Sequence, residues 1–479
     1  MLQYDSLNPK RVFYYFKEIS AIPRGSGNRT AISNYCVSFA KEHGLAYIQD
    51  KAENVIIYKP ASKGYDSSAP VILQGHLDMV CQKTEEATVD FETDGIHLIL
   101  DGDRLKAEHT TLGADNGIAV AMMLAILEDD ALSHPPIEAI FTTDEEIGML
   151  GAKELPYDKI NGKTMINMDA EEPDTVTVSC AGGSDFEMKV PYRRVSCAGT
   201  RVVIVIKGLK GGHSGIEINQ GRVNADILAG RILAKGMMAG GNLISLWGGD
   251  KANAIPLLAE LEFAVEDAKT FETKMSDVLR EIQYEILDRE ENFAPEILVM
   301  EQGEFSVLDE DSQKRVMTAL LAVPNGVMEM SRTIENLVET SLNLGIMKTE
   351  DGAVVLRFAL RSNKKSAMQF LEDRLSAIAD YIGAQTETGG YYPPWELNPD
   401  SPLQRIYHQV HKEQLGTDAK TVAIHAGLEC AVFVANIPGL DCIAIGPDLT
   451  DVHTVQESLS VSSVAETYNL VLKILEKSR

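Results

Sequence analysis

Apolar and polar positions along this chain change their period twice. The first stretch has a helical period over residues 9–20, a turn through Ile22-Pro23-Arg24-Gly25, and a second helical pattern to about residue 43. Pro9 fits the first position of a helix, where its missing N–H has no partner to lose. Short apolar runs of buried-strand type follow: VILQGH ending at His76, AIFTT before Asp144, and MINM before Asp169. An apolar helix over residues 117–128 lies among them. Such alternation predicts an α/β fold, a mixed and mostly parallel sheet between helices. From about residue 185 the texture becomes that of α+β sandwiches. Strand 201–207, helix 224–235, strands near 242–247 and 257–265 and helix 271–287 form one set; helix 312–321, strands near 335–343 and 353–360 and helix 366–382 form another. After Tyr391-Tyr392-Pro393-Pro394 the first texture returns, with LDCIAIGP as a buried strand and a Ser463–Glu466 capping-box spacing opening the last helix. The expected organisation is one α/β domain in two pieces, 1–184 and 393–479, around an inserted α+β domain, 185–392, of two similar halves.

The ends of the apolar runs carry the chemistry. His76, Asp115, Glu146 and Asp169 each follow one, and His453 stands in TDVHTVQE after LDCIAIGP. Strands that end in polar residues gather them at one edge of an α/β sheet. Imidazole and carboxylate without thiolate suit zinc, or manganese and cobalt in similar geometry. In GHLD, His76 and Asp78 are two apart and point the same way on an extended segment, so a carboxylate can orient a ligating ring; a polar turn is the plainer alternative. Asp115, between Gly113 and Gly117, serves equally as a helix N-cap or as a carboxylate bridging two cations. Glu145 and Glu146 diverge at the end of their run, leaving one to ligate and one to move a proton; a solvated acidic pair is the alternative. His213 in KGGHSG and His425 in IHAGLE sit among glycines that permit close approach of a ligand. His408 and His411 read as surface residues.

Composition narrows the picture. The 479 residues are too many for one core, and a formal charge of −27 argues against nucleic acid and anionic membrane as partners. No segment has signal-peptide or membrane-span length, and the six cysteines form no CxxC pair, as in a cytoplasmic protein with reduced thiols.

At GHLDMV, LGADNG, TTDEEIGMLGA, MINMD, KGGHSG and DVHT the chain resembles the co-catalytic di-zinc metallopeptidases that include carboxypeptidase G, peptidase V and the carnosinases, and is most like their bacterial peptidase D branch of aminoacyl-histidine dipeptidases. The resemblance runs from the first helix to the end. It implies a di-zinc aminopeptidase-like catalytic domain with a lid, and two Zn²⁺ per chain that Mn²⁺ or Co²⁺ can replace. His76, Asp115 and Asp169 would ligate one metal, and Asp115, Glu146 and His453 the other. Glu145 would be the general base, Asp78 the partner of His76, and Asp115–Asn116 a cis peptide bond. His213 would reach the substrate carbonyl, and Asn253 in KANAIP with Arg361 in FALRSN the terminal carboxylate; a guanidinium fork suits that task. His425 is a further candidate for substrate binding. The implied reaction is hydrolysis of dipeptides with a free C-terminal carboxylate, of Xaa-His type with broad tolerance, by a metal-bridged hydroxide. An N-acyl amino acid deacylase or carboxypeptidase is the alternative within the family, and a silent binding protein the alternative outside it. The expected partner is the dipeptide, and a homodimer is left open.

Overall fold

The computed structural model describes residues 7–479. It divides into two compact units: Met1–Cys180 with Trp395–Ala423 and Leu428–Arg479, and Ala181–Pro394 with Ile424–Gly427. The short segment Ile424–Gly427, expected in the second α/β piece, thus belongs to the inserted unit.

The first unit is built on an eight-stranded sheet. Its strand order is Ala46–Gln49, Val55–Lys59, Ile137–Thr142, Val71–His76, Thr164–Asn167, Asp441–Ala444, Thr175–Cys180, Lys420–Ile424. The four central strands, from Ile137–Thr142 to Asp441–Ala444, are parallel, whereas Val55–Lys59 on one side and Thr175–Cys180 on the other pair antiparallel. The parallel part is therefore narrower than the sequence suggests. Val71–His76 and Ile137–Thr142 are buried at every position, as strands covered on both faces must be. The helix Ala114–Glu128 packs on Val71–His76 and buries every residue from Ala114 to Leu127 except Asp115. A helix apolar all round has no solvent face, so Asp115 is a polar exception at its head.

Three local expectations change. Pro9 precedes the helix Lys10–Ser20 rather than opening it, and its peptide bond is cis. The last helix, Val461–Lys477, is capped by Ser460, whose side chain accepts from the Ser463 N–H. The tract offers serines at both spacings, and Ser463 instead gives its hydroxyl as acceptor to the Asp448 N–H at 2.8 Å. His411 is buried, with Nε2 3.0 Å from Asp174 Oδ1 and Nδ1 3.1 Å from the Thr417 carbonyl, so it is not a surface residue. All six cysteines are free thiols. Among the described residues no helix is long and apolar enough to cross a membrane.

The inserted unit has a continuous sheet in the order Glu296–Leu308, Arg194–Ile206, Ala259–Val265, Asn242–Gly248, Val338–Glu350, Ala353–Ser362, Gly182–Pro191, Gln385–Tyr392, with Gly326–Met330 added on Val338–Glu350. Helices Ala225–Met238 and Ala268–Ile286 accompany the first four strands; Glu310–Ala322 and Lys365–Ile382 accompany the rest. The two sets meet edge to edge where Trp247 pairs with Lys348 and Gly248 with Met347. All four helices and one sheet face share a single apolar core.

That core holds an unpaired carboxyl. Asp226, in the first turn of Ala225–Met238, is buried, and neither of its oxygens has a hydrogen-bond partner. Burial raises its pKa well above the usual carboxyl range. In the unfolded chain Asp226 ionises at about pH 3.9, but in the folded chain only at higher pH, so stability is full below the lower value and declines above it. Asp226→Asn removes this titration at nearly constant size. Its melting temperature relative to the parent should rise between about pH 4 and pH 8, by a few degrees for roughly each 1 kcal/mol. Thermal unfolding across that range checks this, and a difference independent of pH would refute it.

Candidate active site

Parallel strands set the site. His76 is the last residue of Val71–His76; Glu145 and Glu146 follow Ile137–Thr142, and Asp169 follows Thr164–Asn167. These three strands are neighbours, so their carboxyl ends bring the side chains to one edge. Asp115 enters from the head of Ala114–Glu128 with non-helical φ −80° and ψ 109°, and the Asp115–Asn116 peptide is cis. Asn116 ties that head to the sheet: its Oδ1 accepts from the His76 N–H (3.1 Å) and its Nδ2 donates to the Met168 carbonyl (2.9 Å). The approach requires glycine at 75, where a Cβ would lie 2.4 Å from Asn116 Oδ1. His453 comes from the loop after Leu449–Thr450, in the left-handed region at φ 63°.

The two oxygens of Asp115 face two histidines. Oδ1 is 3.0 Å from His76 Nε2, which lies 3.4 Å from Asp169 Oδ1. Oδ2 is 3.0 Å from His453 Nε2, which lies 2.9 Å from Glu146 Oε1. Ligand atoms of His76, Asp115 and Glu146 all lie within 4.8 Å of one another, a spacing that could hold a metal ion. The geometry thus brings together all five side chains in two sets of three that share Asp115.

The ring of His76 is oriented from behind. Its Nδ1 is 3.1 Å from the Asp78 carbonyl oxygen and 3.5 Å from Asp78 Oδ1, so the nearer partner is the backbone rather than the carboxylate expected. Donation from Nδ1 leaves the Nε2 lone pair for a cation. The Asp78 carboxylate also shapes the next loop: Oδ1 accepts from the Glu145 N–H (3.0 Å), and Oδ2 from the Glu146 N–H (3.3 Å) and the Ser26 hydroxyl (2.8 Å). Burial works against its ionisation, but bonding to His76 and these donors brings its pKa down to about 2.

The acids are crowded. Burial pushes Asp169 up to about 7 against the pull of His76, with Asp115 and Glu429 adding to the rise. Burial also raises Glu145 well above its usual value, again opposed by His76 and helped by Asp169, Glu429 and Glu146. His453 rises to about 10 through its bonds to Asp115 and Glu146. So many carboxyls on so few cationic groups fit a centre that binds divalent cations and releases protons as it does so.

Three supporting residues escaped the sequence reading. Buried Glu457 accepts four backbone N–H bonds: from Leu112 (2.7 Å) and Gly113 (2.9 Å) on Oε2, and from Ala114 (2.8 Å) and Asp115 (3.3 Å) on Oε1. Buried Arg24 donates to the carbonyls of Leu77, Asp78 and Gly113, tying the His76 loop to the Asp115 loop. Glu429 accepts from Gln74 Nε2 (2.5 Å) and Thr142 Oγ1 (2.7 Å) on adjacent strands. Their only signal is negative: each is a charge in an otherwise apolar or turn-like tract.

The inserted unit carries the other candidates. Nδ1 of His213 accepts from the N–H groups of Gly215 (3.1 Å) and Ile216 (3.2 Å), so in the neutral ring the proton sits on Nε2. Burial and the nearby Arg361 charge lower its pKa, which favours that neutral form. Asn253 is exposed and its carbonyl accepts from the Ser214 N–H (2.9 Å). A Cβ on Gly215 would lie 2.9 Å from His213 Cε1, 3.0 Å from the His425 carbonyl and 3.1 Å from Arg361 Nε, so these groups converge on the glycine. The buried Nε of Arg361 has no hydrogen-bond partner. The His425 ring is buried, with Nε2 2.7 Å from Ser341 Oγ and Nδ1 3.5 Å from Asn363 Oδ1. Burial, with Arg361, pulls it down to about 3. Its carbonyl, rather than its ring, faces Gly215.

Comparison with known proteins shows the family. Residues 72–477 match the family model of peptidase family M20/M25/M40. The cytosol non-specific dipeptidase of Escherichia coli is 34% identical over 482 residues, covering 100% of this chain and 99% of that one. The aminoacylhistidine dipeptidase of Vibrio alginolyticus superposes with a TM-score of 0.92 at 35% identity, over 99% and 98% of the two chains. The aminopeptidase PepT of Bacillus cereus shares the fold, with a TM-score of 0.57 at 16% identity over 98% and 99%. The chain is a peptidase of family M20/M25/M40.

Proposed function

We propose that this peptidase hydrolyses dipeptides with a free C-terminal carboxylate, Xaa-His dipeptides among them, using two zinc ions held by His76, Asp115, Asp169, Glu146 and His453. The observation that carries this reading is Asp115, whose two oxygens each face a separate histidine–carboxylate pair. The two similar full-length relatives, both named as dipeptidases, support the substrate class. The cytosolic relative and six free thiols support a cytoplasmic site of action.

Divalent metals bound there would polarise the scissile carbonyl and lower the pKa of water towards neutrality. Glu145 takes the proton of the attacking water and then gives it to the leaving amine, a task suited to a carboxyl with a raised pKa. Asp78 holds the Glu145–Glu146 loop and, through its carbonyl, the His76 ring. His213, protonated on Nε2, donates to the carbonyl oxygen as charge develops. Arg361 and Asn253 hold the terminal carboxylate.

The test is a substrate panel with β-alanyl-histidine, other dipeptides, their N-acetyl forms and tripeptides. It is run on metal-stripped protein and after restoring zinc, manganese or cobalt. Hydrolysis of free dipeptides only after metal is restored is the expected result. Cleavage of N-acetyl amino acids in preference to free dipeptides would make the chain a deacylase instead.

A further inference from the structure

We propose that Tyr392 is a positioning residue for Arg361, set by a register shift in the inserted sheet that turns its phenol towards the guanidinium. The proposal rests on the reading of Arg361 as the group that binds the substrate's carboxylate.

Arg361 on Ala353–Ser362 pairs with Ser341 on one side and with Gly183 on the other. Gly183 pairs in turn with Tyr392 on Gln385–Tyr392. Ser341, Arg361, Gly183 and Tyr392 therefore form one row across four strands. Directly paired residues in such a row project to the same face, so their side chains can meet if nothing stands between.

Two features let Tyr392 reach across. Gly389 pairs with Asp185 and Tyr392 with Gly183, so three steps on one strand oppose two on the other. Without the extra residue, Tyr391 would stand opposite Gly183 and Tyr392 would project from the other face. Gly390 makes the bulge, at φ 59°, with a Cβ position only 2.3 Å from Asp185 Oδ2. The second feature is Gly183 itself, where a Cβ would lie 2.4 Å from the Tyr392 ring and 2.5 Å from its hydroxyl oxygen. The phenol occupies the place of the missing side chain and accepts from Arg361 Nη1 at 2.9 Å. At the other end of the row, Ser341 holds the neutral His425 ring at 2.7 Å.

The result is a guanidinium fixed at one nitrogen by Tyr392, with its Nε buried, unpartnered and close to Gly215 beside His213. An arginine held in this way loses little rotamer freedom when a carboxylate arrives. Without the phenol oxygen it must be ordered by the substrate, which weakens binding and leaves the chemical step alone.

The experiment measures kcat and KM for a dipeptide and for its C-terminal amide. The proteins are the metal-reconstituted parent, Tyr392→Phe, Gly183→Ala, Arg361→Ala and Arg361→Ala/Tyr392→Phe. Tyr392→Phe is expected to raise KM for the dipeptide roughly 10-fold, the scale of one hydrogen bond to a charged group, with kcat and the amide's kcat/KM within about twofold of the parent. Gly183→Ala, which displaces the ring, should do the same, and Tyr392→Phe should add nothing once Arg361 is gone. An unchanged dipeptide KM in Tyr392→Phe, or equal losses on dipeptide and amide, overturns the positioning role while the carboxylate reading stands. If Arg361→Ala leaves the dipeptide-to-amide ratio unchanged, the carboxylate reading itself fails and the proposal falls with it.

Discussion

Glu145→Gln should lower turnover by roughly 10²–10⁴-fold, the range for loss of a general base, while the metal content of the purified protein stays at the parent value. The substitution keeps the size of the side chain and leaves the loop anchored, because the Glu145 and Glu146 N–H groups bond to Asp78 through the backbone. It removes only the ability to take a proton. That ability is tuned by position: burial raises the carboxyl's pKa, and Asp169, Glu429 and Glu146 add to the rise while His76 opposes it. A carboxyl with an ordinary pKa would accept the water's proton less readily and would be slow to hold it for the departing amine. Elemental analysis and kcat on the same preparation check the prediction. Near-parental turnover in a fully metallated variant would take Glu145 out of the role.

Much of this site was legible because parallel strands advertise their ends. Six fully buried residues in Val71–His76 read as an apolar run, and the polar residue that ends it is the one the sheet delivers to its edge. Asp169 and the Glu145–Glu146 pair follow the same rule. The supports were not legible, because a buried charge looks in sequence like an exposed one. Arg24 in IPRGSG reads as a turn, and only the fold shows its guanidinium closed in by three carbonyls. His411 failed in the opposite sense: its helix buries Leu403, Tyr407, Val410 and His411 on one stripe, and the imidazole takes an apolar position because Asp174 and the Thr417 carbonyl satisfy its nitrogens. In the inserted unit four strands of the main sheet lie outside the sequence expectation: Gly182–Pro191, which straddles the expected boundary at residue 184, Gly326–Met330, Glu296–Leu308 and Gln385–Tyr392. The last two lie at the outer ends of the sheet order and are mostly exposed, so burial imposes no alternation on them. Glu296–Leu308 has an apolar run flanked by acids, and Gln385–Tyr392 has two glycines in eight residues.

Glu457→Ala should cost about 3–5 kcal/mol of stability in the metal-free protein and reduce metal affinity by roughly 10–100-fold, although Glu457 is not among the five proposed ligands. Its carboxylate accepts the N–H groups of Leu112, Gly113, Ala114 and Asp115, the segment that carries the Asp115 carboxylate into place. Removing it leaves four backbone donors facing a cavity, and a buried donor without a partner costs about 1–3 kcal/mol. It also removes the largest single charge offsetting the burial of Arg24, whose pKa burial lowers. The loop then loses its anion and keeps a desolvated cation, so Asp115 has no reason to hold both oxygens towards His76 and His453. Glu457→Gln separates the two effects: one oxygen still accepts from a pair of N–H groups, while the new amide N–H₂ meets the other pair as donor against donor. It should fall between parent and Glu457→Ala in both urea unfolding and zinc titration. If Glu457→Ala bound zinc as tightly as the parent, the loop would owe its shape to the Asn116 hydrogen bonds, and the carboxylate beneath it would serve stability only.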